Sequence, residues 1–215
     1  MKQAGRAAFA QTTGVSHETL ERLQAYVDLL LLWNQKINLV AKSTADDVWT
    51  RHVLDSAQLF PLIPPQTKSL LDMGSGAGFP GLVLAILGVP NVHLGESDQR
   101  KCAFLREAAR ITGAAVTIHP QRLENISAFP ADVITARALA PLEDLLGWAE
   151  AFLRPGGRCL FLKGQNVEAE LTNAHQIWKM RVILTPSLTD SRASVLCIQE
   201  VSRVSADPPD PGSDT

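Results

Sequence analysis

The stretch Leu71-Asp72-Met73-Gly74-Ser75-Gly76-Ala77-Gly78-Phe79-Pro80-Gly81 limits the possible folds more than any other part of the chain. It opens with an apolar run of strand length, crosses closely spaced glycines and enters an apolar helical pattern headed by Pro80. Glycines let a backbone turn sharply and approach a ligand closely. Proline suits the first turn of a helix, where its missing N–H is not needed. Strand, glycine turn and helix in that order open an α/β unit, which binds ligands outside the carboxyl ends of its parallel strands.

The rhythm downstream agrees. Short apolar runs predict strands over 69–73, 92–96, 115–119 and 133–136, separated by helices over 80–87, 98–112 and 141–153. After the Pro155-Gly156-Gly157 turn come a strand over 158–163, a helix from Val167, and two further apolar stretches at 180–184 and 194–201. This alternation specifies a doubly wound, Rossmann-like α/β sheet with helices on both faces. The two closing stretches form an antiparallel C-terminal hairpin. Upstream, Ser16 is placed to cap a helix carrying Leu20, Leu23, Val27, Leu30 and Leu31, although Thr19 stands where a capping box takes Glu. A second helix over 45–60 stops before Pro61, and Pro64-Pro65 marks a linker. Residues 1–65 are thus an N-terminal helical extension, forming one globular unit with a core over 66–204. The first dozen residues are expected to be loose, and 205–215, rich in Pro, Asp, Gly and Ser, a disordered tail.

The glycine spacing alone leaves the cofactor open. Gly76-x-Gly78-x-x-Gly81, with Glu96 some 20 residues beyond Gly76, also satisfies the dinucleotide fingerprint. Asp72 discriminates. A dinucleotide brings an anionic pyrophosphate to this turn, where a carboxylate repels it; S-adenosylmethionine brings an ammonium and a sulfonium, which a carboxylate attracts. Glu96 suits either ligand, because a carboxylate at the second strand end accepts both ribose hydroxyls. No Tyr-x-x-x-Lys pair for hydride transfer follows. The expectation is a Rossmann-like methyltransferase using S-adenosylmethionine. A methyltransferase for a small molecule or a protein, a non-catalytic Rossmann-like module and an NAD-dependent oxidoreductase stand as alternatives.

Several ordered motifs narrow the class. They are Trp33-Asn34-Gln35-Lys36-Ile37-Asn38-Leu39-Val40, Arg51-His52-Val53-Leu54-Asp55-Ser56, the glycine turn, Arg100-Lys101-Cys102-Ala103-Phe104-Leu105, Arg122-Leu123-Glu124, Arg137-Ala138 and Leu162-Lys163-Gly164-Gln165. In this order, over residues 26–165, the chain resembles the RsmG (GidB) family of bacterial methyltransferases of 16S ribosomal RNA. The resemblance implies methyl transfer to N7 of one guanosine in the small subunit. It implies that Gly74 and Phe79 line the cofactor, that Leu123 and Glu124 hold the adenine end, and that Arg137 lies beside the methionine part. The segment Gly95-Glu96-Ser97-Asp98-Gln99 offers two acids for the ribose; Glu96 is preferred, and Asp98 could instead cap the next helix.

The chemistry is compatible. Guanine N7 carries a lone pair at neutral pH and needs no base, so positioning and the field around the sulfonium suffice. The Asn/Asp-Pro-Pro-aromatic motif of exocyclic-amine enzymes is missing from Ala136-Arg137-Ala138-Leu139-Ala140-Pro141, and no cysteine motif for C5-pyrimidine chemistry lies near. Arg137 is the candidate catalytic residue, able to reach the cofactor carboxylate, the guanine O6 edge or a phosphate. With a net charge of −2 and a pI near 6.2, no global field attracts RNA. A local patch must do so, for which Lys36, Arg51, Arg100, Lys101, Arg106 and Lys163 are candidates. Trp33 reads as core, Asn34 and Asn38 as backbone partners at a helix end, and His52 with Asp55 as a hydrogen-bonded pair on a helix surface. Cys102, Cys159 and Cys197, odd in number and widely spaced, suit a reducing cytoplasm and neither disulfides nor a metal cluster. No metal, no export and no membrane insertion are expected. A monomer is the simplest expectation, and 16S ribosomal RNA or the small subunit is the expected partner.

Overall fold

Strand composition determines the layering. The computed structural model describes residues 2–204; the expected tail over 205–215 lies outside the described residues. Four helical pieces come first: α1 (Lys2–Thr13), α2 (His17–Trp33), α3 (Lys42–Ala45) and, after a π-helical turn (Trp49–Leu54), α4 (Asp55–Ala57). A 3-10 turn (Phe60–Leu62) then leads to β1 (Leu70–Met73), α5 (Gly81–Ile86), β2 (Val92–Gly95), α6 (Gln99–Thr112) and β3 (Val116–His119). Another 3-10 turn (Leu123–Asn125) precedes β4 (Ala131–Arg137), α7 (Leu142–Ala149), β5 (Leu153–Lys163), α8 (Val167–Ala174), β6 (Trp178–Pro186) and β7 (Ser194–Arg203).

The strands form one sheet in the order β3-β2-β1-β4-β5-β7-β6. β3 through β5 run parallel, whereas β7 pairs antiparallel with both β5 and β6. The closing hairpin therefore folds back, leaving β6 at the edge. Every residue of β1 is buried, as a central strand covered on both faces requires. Leu70, Val133, Leu160 and Val195 face α5, α6 and the N-terminal extension, while Leu71, Ile134, Cys159 and Leu196 face α7 and α8. The three cysteines are free and buried, as expected of small hydrophobes. Among the described residues, no helix is long and apolar enough to cross a membrane.

Three local expectations are corrected. The first dozen residues are helical, because Phe9 is buried against Trp49 with ring centroids 5.4 Å apart. The continuous helix expected over 45–60 is instead α3, the π turn and α4. The irregular winding keeps Trp49 and Val53 in the core while His52 and Asp55 both reach the carboxyl edge of the sheet. Finally, Pro155-Gly156-Gly157 is an irregularity inside β5 rather than a break before it: Ala131 pairs with Leu153 and Val133 already with Arg158.

Helix ends follow their local chemistry. The Ser16 Oγ accepts the Thr19 N–H at 3.1 Å and starts α2. Beyond its end, the Asn34 side-chain oxygen accepts the N–H groups of Leu39 (2.8 Å) and Val40 (3.0 Å), folding the next loop back. Tyr26, buried in α2, donates its hydroxyl to the Ala77 carbonyl at 2.6 Å. The extension is thereby fastened to the glycine turn.

Candidate functional site

At the glycine turn, α5 sits almost directly on β1. A Cβ on Gly81 would lie 2.5 Å from Leu94 Cδ2 and 2.6 Å from Asp72 Cβ. Gly78 has φ +98°, and a Cβ there would meet Leu82 Cβ at 2.8 Å. The turn amides are already engaged. Gly76 N–H donates to Glu96 Oε2 (2.9 Å), Gly81 N–H to Asp72 Oδ2 (3.1 Å), and Gly78 and Phe79 N–H to the Ser75 carbonyl (2.7 and 3.2 Å). Two of these acceptors are carboxylates. A pyrophosphate needs such amides free and no anion beside them, so the turn suits a cationic ligand.

Beside the turn opens a cavity of about 650 Å³. Glu96, Ser97, Lys101, Leu123 and Glu124 line one end, Gly74 to Ala77 the floor, and His52, Asp55, Arg137, Thr189 and Asp190 the other end. Of the cofactor residues expected from sequence, Gly74, Gly76, Phe79, Glu96, Leu123, Glu124 and Arg137 reach it. Gly78 and Asp72 lie beneath. Asp72 shares a face of β1 with Leu70 and is wholly buried. Its Oδ1 accepts the hydroxyl of Thr135, its register partner on β4, at 2.7 Å, and its Oδ2 the Gly81 amide. Burial raises its pKa from 3.8 to about 6, against the lowering effect of these hydrogen bonds and of Arg137. The carboxylate can reach a ligand by its field but not by direct contact.

Glu96 faces the cavity and Asp98 does not. Asp98 caps α6, accepting the N–H groups of Arg100 (2.8 Å) and Lys101 (3.2 Å), the alternative left open by sequence. Glu96 Oε1 accepts the Asp98 N–H at 2.7 Å. Each Glu96 oxygen thus holds one backbone amide and retains further acceptor capacity.

Arg137 ends β4 on the face of Val133 and Thr135, and its guanidinium is held from several sides. It donates to Asp55 Oδ2 (3.2 Å), the Arg51 carbonyl (3.2 Å) and His52 Nδ1 (3.0 Å), and lies 4.9 Å from the centroid of the Phe79 ring. His52 itself stacks on Phe79 at 5.1 Å. Burial first, then Arg137 and Arg51, pushes the His52 pKa down to about 3, so the imidazole is neutral. A guanidinium only donates, which makes Nδ1 the acceptor and puts the proton on Nε2. Nε2 then donates to Thr44 Oγ1 (2.8 Å), whose hydroxyl donates to the Ala41 carbonyl (2.9 Å). His52 and Asp55 are therefore not bonded to each other, as their helical spacing suggested; the π turn sends both to Arg137. Asp55 Oδ1 accepts from Thr189 (2.6 Å) and Gln58 (2.9 Å), tying in the β6–β7 loop. Thr44, Thr135 and Thr189 carried no sequence signal of their own. Thr135 could have been found from its position two residues before Arg137.

The expected RNA contacts separate. Lys163 is buried, ion-paired with Glu170 and bonded to the Ala140 carbonyl at 2.8 Å, and it also lines the cofactor cavity, so its ammonium is engaged within the fold rather than free on the surface. Strand alternation puts it on the Phe161 face, towards α8. Arg51 pairs with Asp190 at 3.3 Å on the cavity wall. Lys36, Arg100 and Arg106 are exposed and Lys101 half-buried. Trp33 is half-buried, edge-on to Phe104 at 5.7 Å, and packs as core.

Known proteins place this architecture. The family model described as rRNA small subunit methyltransferase G matches residues 19–195. The protein of Paramagnetospirillum magneticum named ribosomal RNA small subunit methyltransferase G is 57% identical over 196 residues, covering 91% of this chain and 96% of the relative. Its namesake from Rhodospirillum centenum is 60% identical over 194 residues, covering 90% of each. Among solved structures, the magnesium protoporphyrin IX methyltransferase of Synechocystis with bound S-adenosylmethionine superposes with a TM-score of 0.58 at 13% identity, over 86% of this chain and 98% of that one. That likeness speaks to fold alone.

Proposed function

Because the chain belongs to the rRNA small subunit methyltransferase G family, we propose that it transfers the methyl group of S-adenosylmethionine to N7 of a specific guanosine in 16S ribosomal RNA. The observation that carries the cofactor reading is the state of the glycine turn. Its Gly76 and Gly81 amides are bonded to Glu96 and Asp72, so negative charge surrounds the place where a dinucleotide would need positive charge.

The residues fit the cofactor end to end. Bound there, S-adenosylmethionine supplies a methyl group on a positively charged sulfur, open to displacement by a lone pair. Glu96 has acceptor capacity for two ribose hydroxyls, and Leu123 and Glu124 lie at the adenine end. Gly74 and Phe79 form the floor and wall beside the methionine part, and Arg137 offers its uncommitted N–H donors to a carboxylate or to the O6 edge of guanine.

The N7 reading rests on what the acceptor asks of the protein. Among the described residues, His52 is the one imidazole lining the cavity, and it is held neutral with Nδ1 on Arg137 and Nε2 on Thr44. It is a hydrogen-bond bridge rather than a proton acceptor. Guanine N7 offers its lone pair without losing a proton, so positioning and electrostatics suffice.

The test is transfer of labelled methyl from S-adenosylmethionine to purified small ribosomal subunits, with the modified base mapped. Label at guanine N7 is the expected result. Label on an exocyclic amine overturns the N7 reading. No label, despite clear cofactor binding, overturns the RNA acceptor.

A further inference from the structure

A second cleft adjoins the cofactor cavity. It measures about 320 Å³ and lies between the loop after α2, contributing Lys36 and Asn38, and the start of α6, contributing Asp98, Arg100 and Lys101. Lys101 lines both the cleft and the cavity. Two separate elements thus bring three cations around one hollow, in a chain whose net charge is −2.

These cations lack strong acidic partners. Elsewhere Arg137, Lys163, Arg181 and Arg203 each have an acid within ion-pair distance. Among the described residues, no acid lies within ion-pair distance of Lys36 or Lys101. The one carboxylate in the cleft, Asp98, accepts the Arg100 and Lys101 amides and holds the Arg100 guanidinium only loosely, at 3.5 Å. The hollow is therefore short of negative charge. Its lining shares Lys101 with that of the cofactor cavity, which also includes Glu96 and Ser97.

We infer that this cleft seats a phosphodiester of the acceptor RNA strand, gripped by Lys36 and Lys101 with Arg100 at its rim, while the target base enters the neighbouring cavity. The inference rests on the RNA acceptor reading and adds to it the point where the strand is held. It also explains how an acidic protein engages RNA: by counterion release at one built hollow rather than through a global field.

The experiment measures binding of protein-free 16S RNA, and separately of purified small subunits, across a salt series. It compares the wild type, the double variant Lys36→Ser with Arg100→Ser, at two cleft residues that do not line the cofactor cavity, and Lys179→Ser, a control at an exposed cation on β6. One phosphate contact predicts a slope of log K against log salt shallower by about 1 in the double variant. Lys179→Ser should keep the wild-type slope, and S-adenosylmethionine affinity by calorimetry should hold in all three. An unchanged slope in the double variant, with the wild type binding RNA, overturns the cleft alone. Absence of wild-type RNA binding takes the acceptor reading down with it. A defect seen with subunits but not with protein-free RNA overturns the phosphate in favour of an acidic protein segment. Loss of cofactor affinity in the double variant assigns the cleft to the cofactor and likewise overturns it. Competition by inorganic phosphate as effective as by RNA would make the hollow a free-phosphate site and overturn the strand contact.

Discussion

Replacing Asp72 with Asn separates what this buried carboxylate does for the fold from what it does for the ligand. Its pKa lies at about 6 in the folded protein against 3.8 for an unperturbed group, because burial disfavours the charge. An acid with a raised folded pKa binds more protons folded than unfolded between those values, so it lowers stability as pH rises through that window and holds the loss above it. The full cost is about 3 kcal/mol, of which roughly 1 kcal/mol develops between pH 5 and pH 7. Asparagine fills the same space. Its oxygen can accept the Gly81 amide while its N–H donates to Thr135, leaving the threonine hydroxyl hydrogen without an acceptor at a cost of about 1 kcal/mol. Asp72→Asn should therefore be more stable than the wild type by about 2 kcal/mol at pH 7.5, with a gap that narrows towards pH 5. It should also bind S-adenosylmethionine more weakly. Urea denaturation between pH 5 and 8 reads the first effect and calorimetry the second. His52 contributes an opposing slope, its stabilisation falling as pH drops from 6.5 towards 3, but it is common to both proteins and cancels in the difference. A gap that stays constant with pH would mean that Asp72 ionises like a surface carboxylate, and the reasoning would fail.

Three further substitutions test the geometry. Gly81→Ala places a methyl 2.6 Å from Asp72 Cβ and should destabilise by about 1–3 kcal/mol in urea, with a matching loss of cofactor affinity as α5 lifts off β1. His52→Ala removes a charge-assisted bond to Arg137, so methyl transfer should fall about tenfold, the size of roughly 1.5 kcal/mol; His52→Asn, which keeps an acceptor, should recover part of it, and equal defects in the two would refute the bridge. Lys163→Met leaves Glu170 without its partner and should cost about 3 kcal/mol of stability, yet keep the wild-type salt dependence of RNA binding; a shallower slope would return Lys163 to the RNA surface.

Much of this fold was legible because the core strands are nearly continuous apolar runs, and an all-buried parallel strand such as Leu70–Met73 leaves no competing pattern. One failure comes from distance along the chain. The helix Lys2–Thr13 has one large buried anchor, Phe9, and what buries it is Trp49, some forty residues later. The break between Ala45 and Asp55 is invisible to helical periodicity because Val48, Val53, Leu54 and Leu59 satisfy an α-helix as well as a π turn. The pairing of Lys163 with Glu170 escaped the sequence for another reason. Residue type shows that a lysine can bind phosphate, but strand parity decides which way it points, and Phe161 two residues earlier lies on the α8 side.

The same parity settles the glycine turn, where residue spacing is silent. The fingerprint Gly76-x-Gly78-x-x-Gly81 describes a backbone path and says nothing of what its amides bind. In a dinucleotide site they face an open anion seat. Here Asp72, on the Leu70 face of β1, is directed under the turn to Gly81, and Glu96, just past the end of β2, reaches across to Gly76. Identical glycine spacing thus yields the opposite field, and the two carboxylates are what convert one into the other. The charge argument from sequence identified both acids without separating a contact from a field. Asp72, with both oxygens bonded inside the fold, can act only at a distance, and at a dielectric lowered by full burial that distance still leaves it an electrostatic role. Glu96, which lines the cavity, is the acid placed for direct contact. A site reading from sequence should therefore separate residues that set the field from residues that meet the ligand, and the neighbour two positions back along the strand is the means of doing so.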